Sequence, residues 1–175
     1  MNKTAVIYKS KYGSTKQYAA WIARALDAAL FDAADIKPAQ LMDYDMIIYG
    51  GGLYAGSING IGLVAKNPCK ALVVFTVSLS DPKTTDLSGS VVKSFTKGRP
   101  QPLKTFHLRG GIDYDRLGTI HKGMMATLNK ILSKKKSALT EQEKDILATY
   151  GGKFDFVSED AVVPIVEFVR RQMRT

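Results

Sequence analysis

The apolar run Ala5-Val6-Ile7-Tyr8 passes into the loop Lys9-Ser10-Lys11-Tyr12-Gly13-Ser14-Thr15, and a helix-like run from Lys16 to Ala29 follows without a gap. A strand that turns directly into a helix leaves the first N–H groups of that helix unpaired, at the positive end of its dipole. A phosphate can be held there without a dedicated cation. Hydroxyls at Ser10, Ser14 and Thr15 add donors at short range, and Gly13 lets the backbone approach a ligand closely. The same residues also suit a plain strand-to-helix turn capped by Ser14 or Thr15, so the rest of the chain must decide between the two. Two other phosphate motifs are excluded, because no glycine precedes Lys-Ser or Lys-Thr in Walker fashion and no G-x-G-x-x-G follows the first strand.

Downstream, strands and helices alternate. A weak strand is expected at about 30 to 33, and Met46-Ile47-Ile48-Tyr49 reads as a strand buried on both faces that ends in the loop Gly50 to Gly56. Ser57 to Lys66 is expected to be helical despite Gly60 and Gly62. Ala71 to Val77 is a second fully apolar strand, followed by a polar loop from Ser78 to Asp86. A helix at about 87 to 97 should stop at Gly98 before Pro100 and Pro102, and Leu103 to Leu108 reads as a further strand closing on Arg109-Gly110-Gly111. This order predicts βαβ units in a parallel sheet with right-handed crossovers. Beyond it, Leu117, Ile120, Met124, Leu128, Ile131 and Leu132 recur at helical spacing among lysines and predict an amphipathic, basic helix of about 116 to 133. Thr140-Glu141-Gln142-Glu143 is a capping box opening a short helix, and the closing helix should bury Val162, Ile165, Val166, Val169 and Met173.

The 175 residues suit one domain, residues 1–175, with a helical insertion at about 113–150. One cysteine, Cys69, excludes an internal disulfide framework and fits a reducing compartment. No apolar run approaches the roughly 20 residues of a membrane span, and Met1-Asn2-Lys3 leads straight into a strand, so a cytoplasmic location is expected. The net charge of +9 is concentrated: residues 93–136 carry 11 Lys or Arg against 2 Asp or Glu. That quarter of the chain should show a basic face to an anionic partner.

Val6-Ile7-Tyr8-Lys9-Ser10-Lys11-Tyr12-Gly13-Ser14-Thr15-Lys16-Gln17-Tyr18-Ala19 resembles the flavodoxin fingerprint at every constrained position. The resemblance implies a flavodoxin-like α/β three-layer sandwich. Its five-stranded parallel sheet has the order 2-1-3-4-5, with helices on both faces and an extra helical insertion before the last helix. FMN is then the implied cofactor, at the strand ends where the order reverses, a placement flavodoxin itself illustrates. Its phosphate falls to Ser10, Tyr12, Gly13, Ser14 and Thr15, and its ring to two loops, one with Leu53, Tyr54, Ala55 and Gly56 and the other with Val77, Ser78 and Leu79. Tyr54 is the natural stacking residue, glycines 50, 51, 52 and 56 would let backbone amides reach the ring edge, and Gly110 and Gly111 would face its pyrimidine side.

Electron-carrier flavodoxins are typically acidic, whereas this chain is basic. The Gly110-Gly111-Ile112-Asp113-Tyr114 turn into a basic helix resembles the flavodoxin-domain family that includes the menaquinone-dependent protoporphyrinogen oxidases. Two activities follow as expectations, FMN-dependent electron transfer and quinone-linked oxidation of a porphyrinogen. A flavin-free binding module is the third reading. The basic 93–136 segment would meet a redox partner protein or an anionic small-molecule substrate, with peripheral contact to an anionic membrane at its inner face as a further expectation. It lacks the aromatic interleaving of a nucleic-acid platform, so no nucleic acid is expected. His107 and His121 have no neighbouring Cys or paired His, which favours structural roles over a metal site.

Overall fold

The computed structural model describes residues 3–54, 56–95 and 101–174. Its central sheet contains β1 (Thr4–Lys9), β2 (Ala29–Asp32), β3 (Met46–Tyr54), β5 (Leu72–Ser78) and β6 (Lys104–Arg109), all parallel and ordered β2-β1-β3-β5-β6. Counted without the short β4 (Ser57–Ile58), this is the expected order 2-1-3-4-5. Ala5 pairs with Ala29 on one side and Ile47 on the other, and Ile47 pairs onward with Leu72. The chain leaves β1 toward β2 and returns to the other side at β3, so the reversal of order lies at the C-terminal ends of β1 and β3.

Both faces of the sheet are covered, which explains why β1, β3 and β5 read as continuous apolar runs. Val6, Ile48, Val73 and Phe75 pack with Tyr18 and Ile22 of α1 (Ser14–Leu26) and with Ile165 and Val169 of α6 (Val163–Gln172). Opposite them, Ala5, Ile7, Ile47, Tyr49 and Val74 meet Ile36, Leu41 of a 3-10 turn, and Val64 of α2 (Gly62–Ala65). The helix α3 (Ser88–Ser94) lies where a helix was expected, and its anticipated stop at Gly98 and Pro100 falls outside the described residues.

Two segments differ from expectation. β3 does not end at Tyr49 but continues to Tyr54, with Gly50, Gly51 and Gly52 inside the ladder. Packing explains the glycines: a Cβ on Gly50 would run into the Phe75 ring, and one on Gly51 would lie 2.7 Å from both Ile58 Cγ2 and the Asn59 carbonyl oxygen. The helix expected over Ser57 to Lys66 is instead the strand β4, antiparallel to the end of β3, followed by the four-residue α2. Gly60, at φ +70°, breaks the helical path between them.

The insertion is longer than expected. β7 (Gly111–Asp113) and β8 (Lys153–Asp155) form an antiparallel ribbon that encloses α4 (Thr119–Ser133) and α5 (Glu141–Ala148). The capping box of α5 forms as the sequence implies, with the Glu143 N–H donating to Thr140 Oγ1 at 3.3 Å and the Thr140 N–H to Glu143 Oε2 at 2.8 Å. The expected amphipathic helix is α4, but its apolar side is largely uncovered: Ile120, Met124 and Ile131 are 81%, 56% and 61% exposed, and Leu132 is the one buried residue of that helix. Among the described residues, no helix is long and apolar enough to cross a membrane.

Candidate functional site

The loop after β1 is built around Gly13, whose φ of +104° is left-handed backbone that an L side chain rarely adopts. Ser10 Oγ accepts the Gly13 N–H at 3.1 Å, and the Gly13 carbonyl accepts the Gln17 N–H at 3.0 Å, opening α1. The cap residue of α1 is therefore Gly13, not Ser14 or Thr15, and no side chain caps the helix. Ser14 Oγ is turned outward from the helix to accept the Gly111 N–H at 3.3 Å, which ties this loop to the end of β6. That bond leaves the Ser14 hydroxyl hydrogen available for donation. Thr15 is buried and Tyr12 half-buried. An open cavity of about 460 Å³ adjoins the loop, walled by Tyr8, Ser10, Tyr12 and Gly13 and rimmed by the cations Lys11, Lys16 and Arg116 and the carboxylate of Asp32.

At the end of β3, Leu53 is half-buried and Tyr54 is 39% exposed. Burial pushes the Tyr54 phenol above its ordinary pKa, with a smaller contribution from Tyr12. Gly56 holds φ +76° in the turn between β3 and β4, so the freedom expected of four glycines belongs to this one, because the other three are in the ladder. Ala55 lies outside the described residues.

The end of β5 supplies the other wall. Val77 points into the core, whereas Ser78 and Leu79 are half-buried. Ser78 Oγ is buried and lacks a hydrogen-bond partner among the described residues, an arrangement that carries an energetic cost until a ligand meets it. The Ser78 carbonyl accepts the Gly110 N–H at 2.6 Å. Gly110 is buried so closely that a Cβ there would lie 2.8 Å from Val77, and Gly111 begins the ribbon. The predicted residues around Ser14, Ser78, Gly110 and Gly111 thus come together through direct bonds.

Two groups at this end of the sheet are not singled out for it by the sequence. Arg109, at the tip of β6, donates from Nε to the Leu79 carbonyl at 3.0 Å and pairs with Asp145 of α5 at 3.3 Å and Asp81 at 3.7 Å. Its guanidinium lies 3.8 Å from the Phe156 ring centroid. The second is His121 of α4, expected to be structural, which reaches Tyr12, Lys11 and Tyr54. A charged residue closing a strand was the available signal for Arg109; nothing in the spacing of α4 pointed to His121.

Beside β1, Asp32 at the end of β2 is held below its ordinary pKa, first by the Ala34 N–H and then by Lys9, against a burial effect that raises it. A loop of small hydroxyls at a helix start, a cationic rim and an unmatched buried hydroxyl at the next strand end can hold a phosphate ester and the edge of a flat polar ring. That donor set fits a flavin nucleotide.

The flavodoxin-domain family model matches residues 5–139. Among solved structures, the chain is similar to a flavodoxin from the domain Archaea, with 19% identity over 65% of this chain and 87% of that one, at a TM-score of 0.43. It is also similar to oxidised Flavodoxin 1 from Bacillus cereus, with 18% identity over 61% and 84% of the two chains and a TM-score of 0.47. A flavoprotein from Lactobacillus acidophilus NCFM, solved in complex with FMN, shares 16% identity over 61% of this chain and 93% of its own, at a TM-score of 0.46. No curated protein matches the chain.

Proposed function

The chain belongs to the flavodoxin-domain family, and from that premise we propose that it binds FMN and works as a redox protein mediating electron transfer. The observation that carries this reading is the Ser10 to Thr15 loop, which opens α1 at the point where the strand order reverses. The first N–H groups of α1 and the hydroxyls of Ser10, Ser14 and Thr15 would hold the phosphate. Leu53, Tyr54, Ala55 and Gly56 would flank the ring on one side, with Val77, Ser78, Leu79, Gly110 and Gly111 on the other. FMN bound there would supply the one- or two-electron chemistry, while the protein binds, orients and partly shields it. Purified protein should bind about one FMN per chain, and Ser10→Ala combined with Thr15→Ala should weaken binding about tenfold or more. An intact protein with no measurable FMN affinity overturns the reading.

A second reading, an oxidoreductase of the protoporphyrinogen oxidase type with a quinone acceptor, draws support from one observation. α4 turns Ile120, Met124 and Ile131 to solvent, and Lys122, Lys130 and Lys134 are exposed on the same helix and its end. A helix that exposes apolar residues on one side and lysines on the others suits a lipophilic anionic substrate, or the anionic membrane surface in which a quinone dissolves. Porphyrin formation from a porphyrinogen in the presence of a menaquinone tests it directly, and absence of turnover by FMN-loaded protein rejects it. Charge reversal belongs at Lys122, Lys130 and Lys134, because Lys135 is tied to Glu143 at 2.6 Å and would report on folding as well.

A further inference from the structure

His121 lies on α4, far in sequence from the loops that form the candidate site, yet its ring joins them. Nδ1 is hydrogen-bonded to the Tyr12 hydroxyl in the loop after β1, Nε2 lies 3.1 Å from the Lys11 ammonium, and the imidazole stacks at 6.0 Å and 27° on Tyr54 at the end of β3. Two chain segments that meet at the reversal of strand order are thereby bridged by one side chain from the insertion.

The hydrogen bonds fix which form of the ring makes them. An ammonium group only donates, so Nε2 must accept from Lys11 with a lone pair. The proton of the neutral imidazole then resides on Nδ1 and is donated to the Tyr12 oxygen, leaving the Tyr12 hydroxyl hydrogen free to point into the site. A second proton on the ring would remove the acceptor and set two cations face to face. Around it stand Lys11 and Tyr12 from the loop, Tyr54 from β3, Arg116 and Asp115 from the turn before α4, and Lys122 on α4 itself; of the nearby carboxylates, Asp32 on the cavity rim is paired with Lys9 at 3.3 Å and Asp113 with Lys153 at 3.3 Å.

We propose that His121 is a positioning residue, a clamp that holds Tyr12 and Tyr54 in place and fixes α4 beside the cofactor loops. The clamp makes the insertion a third wall of the site. Its bearing on a flavin rests on the FMN reading above; its bearing on α4 does not.

The test therefore has two arms, both on the full-length chain. In the first, hydrogen exchange of peptides spanning 116–126 is followed without FMN at about pH 8 in wild type and two variants. His121→Gln, whose amide can accept from Lys11 and donate to Tyr12, should keep wild-type protection. His121→Leu should lose about tenfold of it, the order expected for losing one charge-assisted hydrogen bond. Wild-type protection in His121→Leu, or Gln behaving like Leu, overturns the clamp. In the second arm, FMN affinity at about pH 8 should fall about tenfold in His121→Leu and stay within about twofold in His121→Gln. Equal affinity of wild type and His121→Leu overturns the positioning role. If wild type binds no FMN at all, the proposed function fails, and the exchange arm still decides the clamp.

Discussion

Two helices of this chain look alike as sequence and differ as structure. α1, of 13 residues, and α4, of 15, both repeat apolar residues at helical spacing, yet α1 buries Thr15, Tyr18, Ala19, Ile22 and Ala23 whereas α4 buries Leu132 alone. The difference lies in what each meets. α1 lies on a sheet face it shares with α6, while α4 packs on α5 and reaches the site loops through the ring of His121. Periodicity states that a helix has an apolar side; whether that side is covered depends on a surface supplied from elsewhere in the chain.

The contrast predicts unequal responses to substitution. Ile22→Ala, at a site with no exposure, should cost about 2–5 kcal/mol in chemical denaturation, because the packed sheet face cannot collapse into the gap. A cost under about 1 kcal/mol would mean that the α1 face is as loosely covered as that of α4. Thr140→Ala removes one side of the capping box and should cost about 1 kcal/mol. That loss should be read in hydrogen exchange of α5 rather than in the global midpoint; a full shift of the midpoint would show that the insertion and the sheet unfold as one unit.

A third prediction concerns the edge of the sheet. Burial holds the His107 imidazole below its ordinary pKa, against an opposing pull from Asp86, and its Nδ1 lies 2.5 Å from Thr76 Oγ1. A base whose pKa falls on folding contributes stability above its unfolded value of about 6.5, and that contribution is lost as pH drops from there through the lower folded value. The denaturation midpoint should therefore decline below about pH 6.5, and His107→Gln should flatten the decline. A slope that survives the substitution would place the titration in another group. Last and smallest, Ile120→Ser and Ile131→Ser should each change stability by no more than about 0.5 kcal/mol. A cost near that of Ile22→Ala would show that something covers α4 in solution, and the comparison of the two helices would fail.

The legible parts of the sequence were those governed by local chemistry or by burial on two faces. Tyr8 ends an apolar run because β1 lies inside the sheet, and Ser10, Gly13 and Ser14 announce the loop because an open helix start needs such residues. Pairing across distance was less visible. The β4 hairpin was mistaken for a helix, since Ser57-Ile58 carries no turn signal stronger than the Gly56 before it, and the ribbon of β7 and β8 joins segments about 40 residues apart. Gly50 to Gly52 read as loop because their function is steric, making room for Phe75 and Ile58, and sterics of that kind appear only once the strands are side by side. His121 was unreadable for the same reason: its partners lie 110, 109 and 67 positions away.

The β7–β8 ribbon has one further consequence. Gly111 sits opposite Asp155 and Asp113 opposite Lys153, so the chain departs for its excursion and comes back at the same doorstep. A cassette inserted in this way adds no crossing to the sheet and leaves the strands before and after it in unchanged register. In principle it can be shortened to a tight hairpin joining Asp113 to Lys153, or grafted between the same two strands of another scaffold, with the sheet none the wiser.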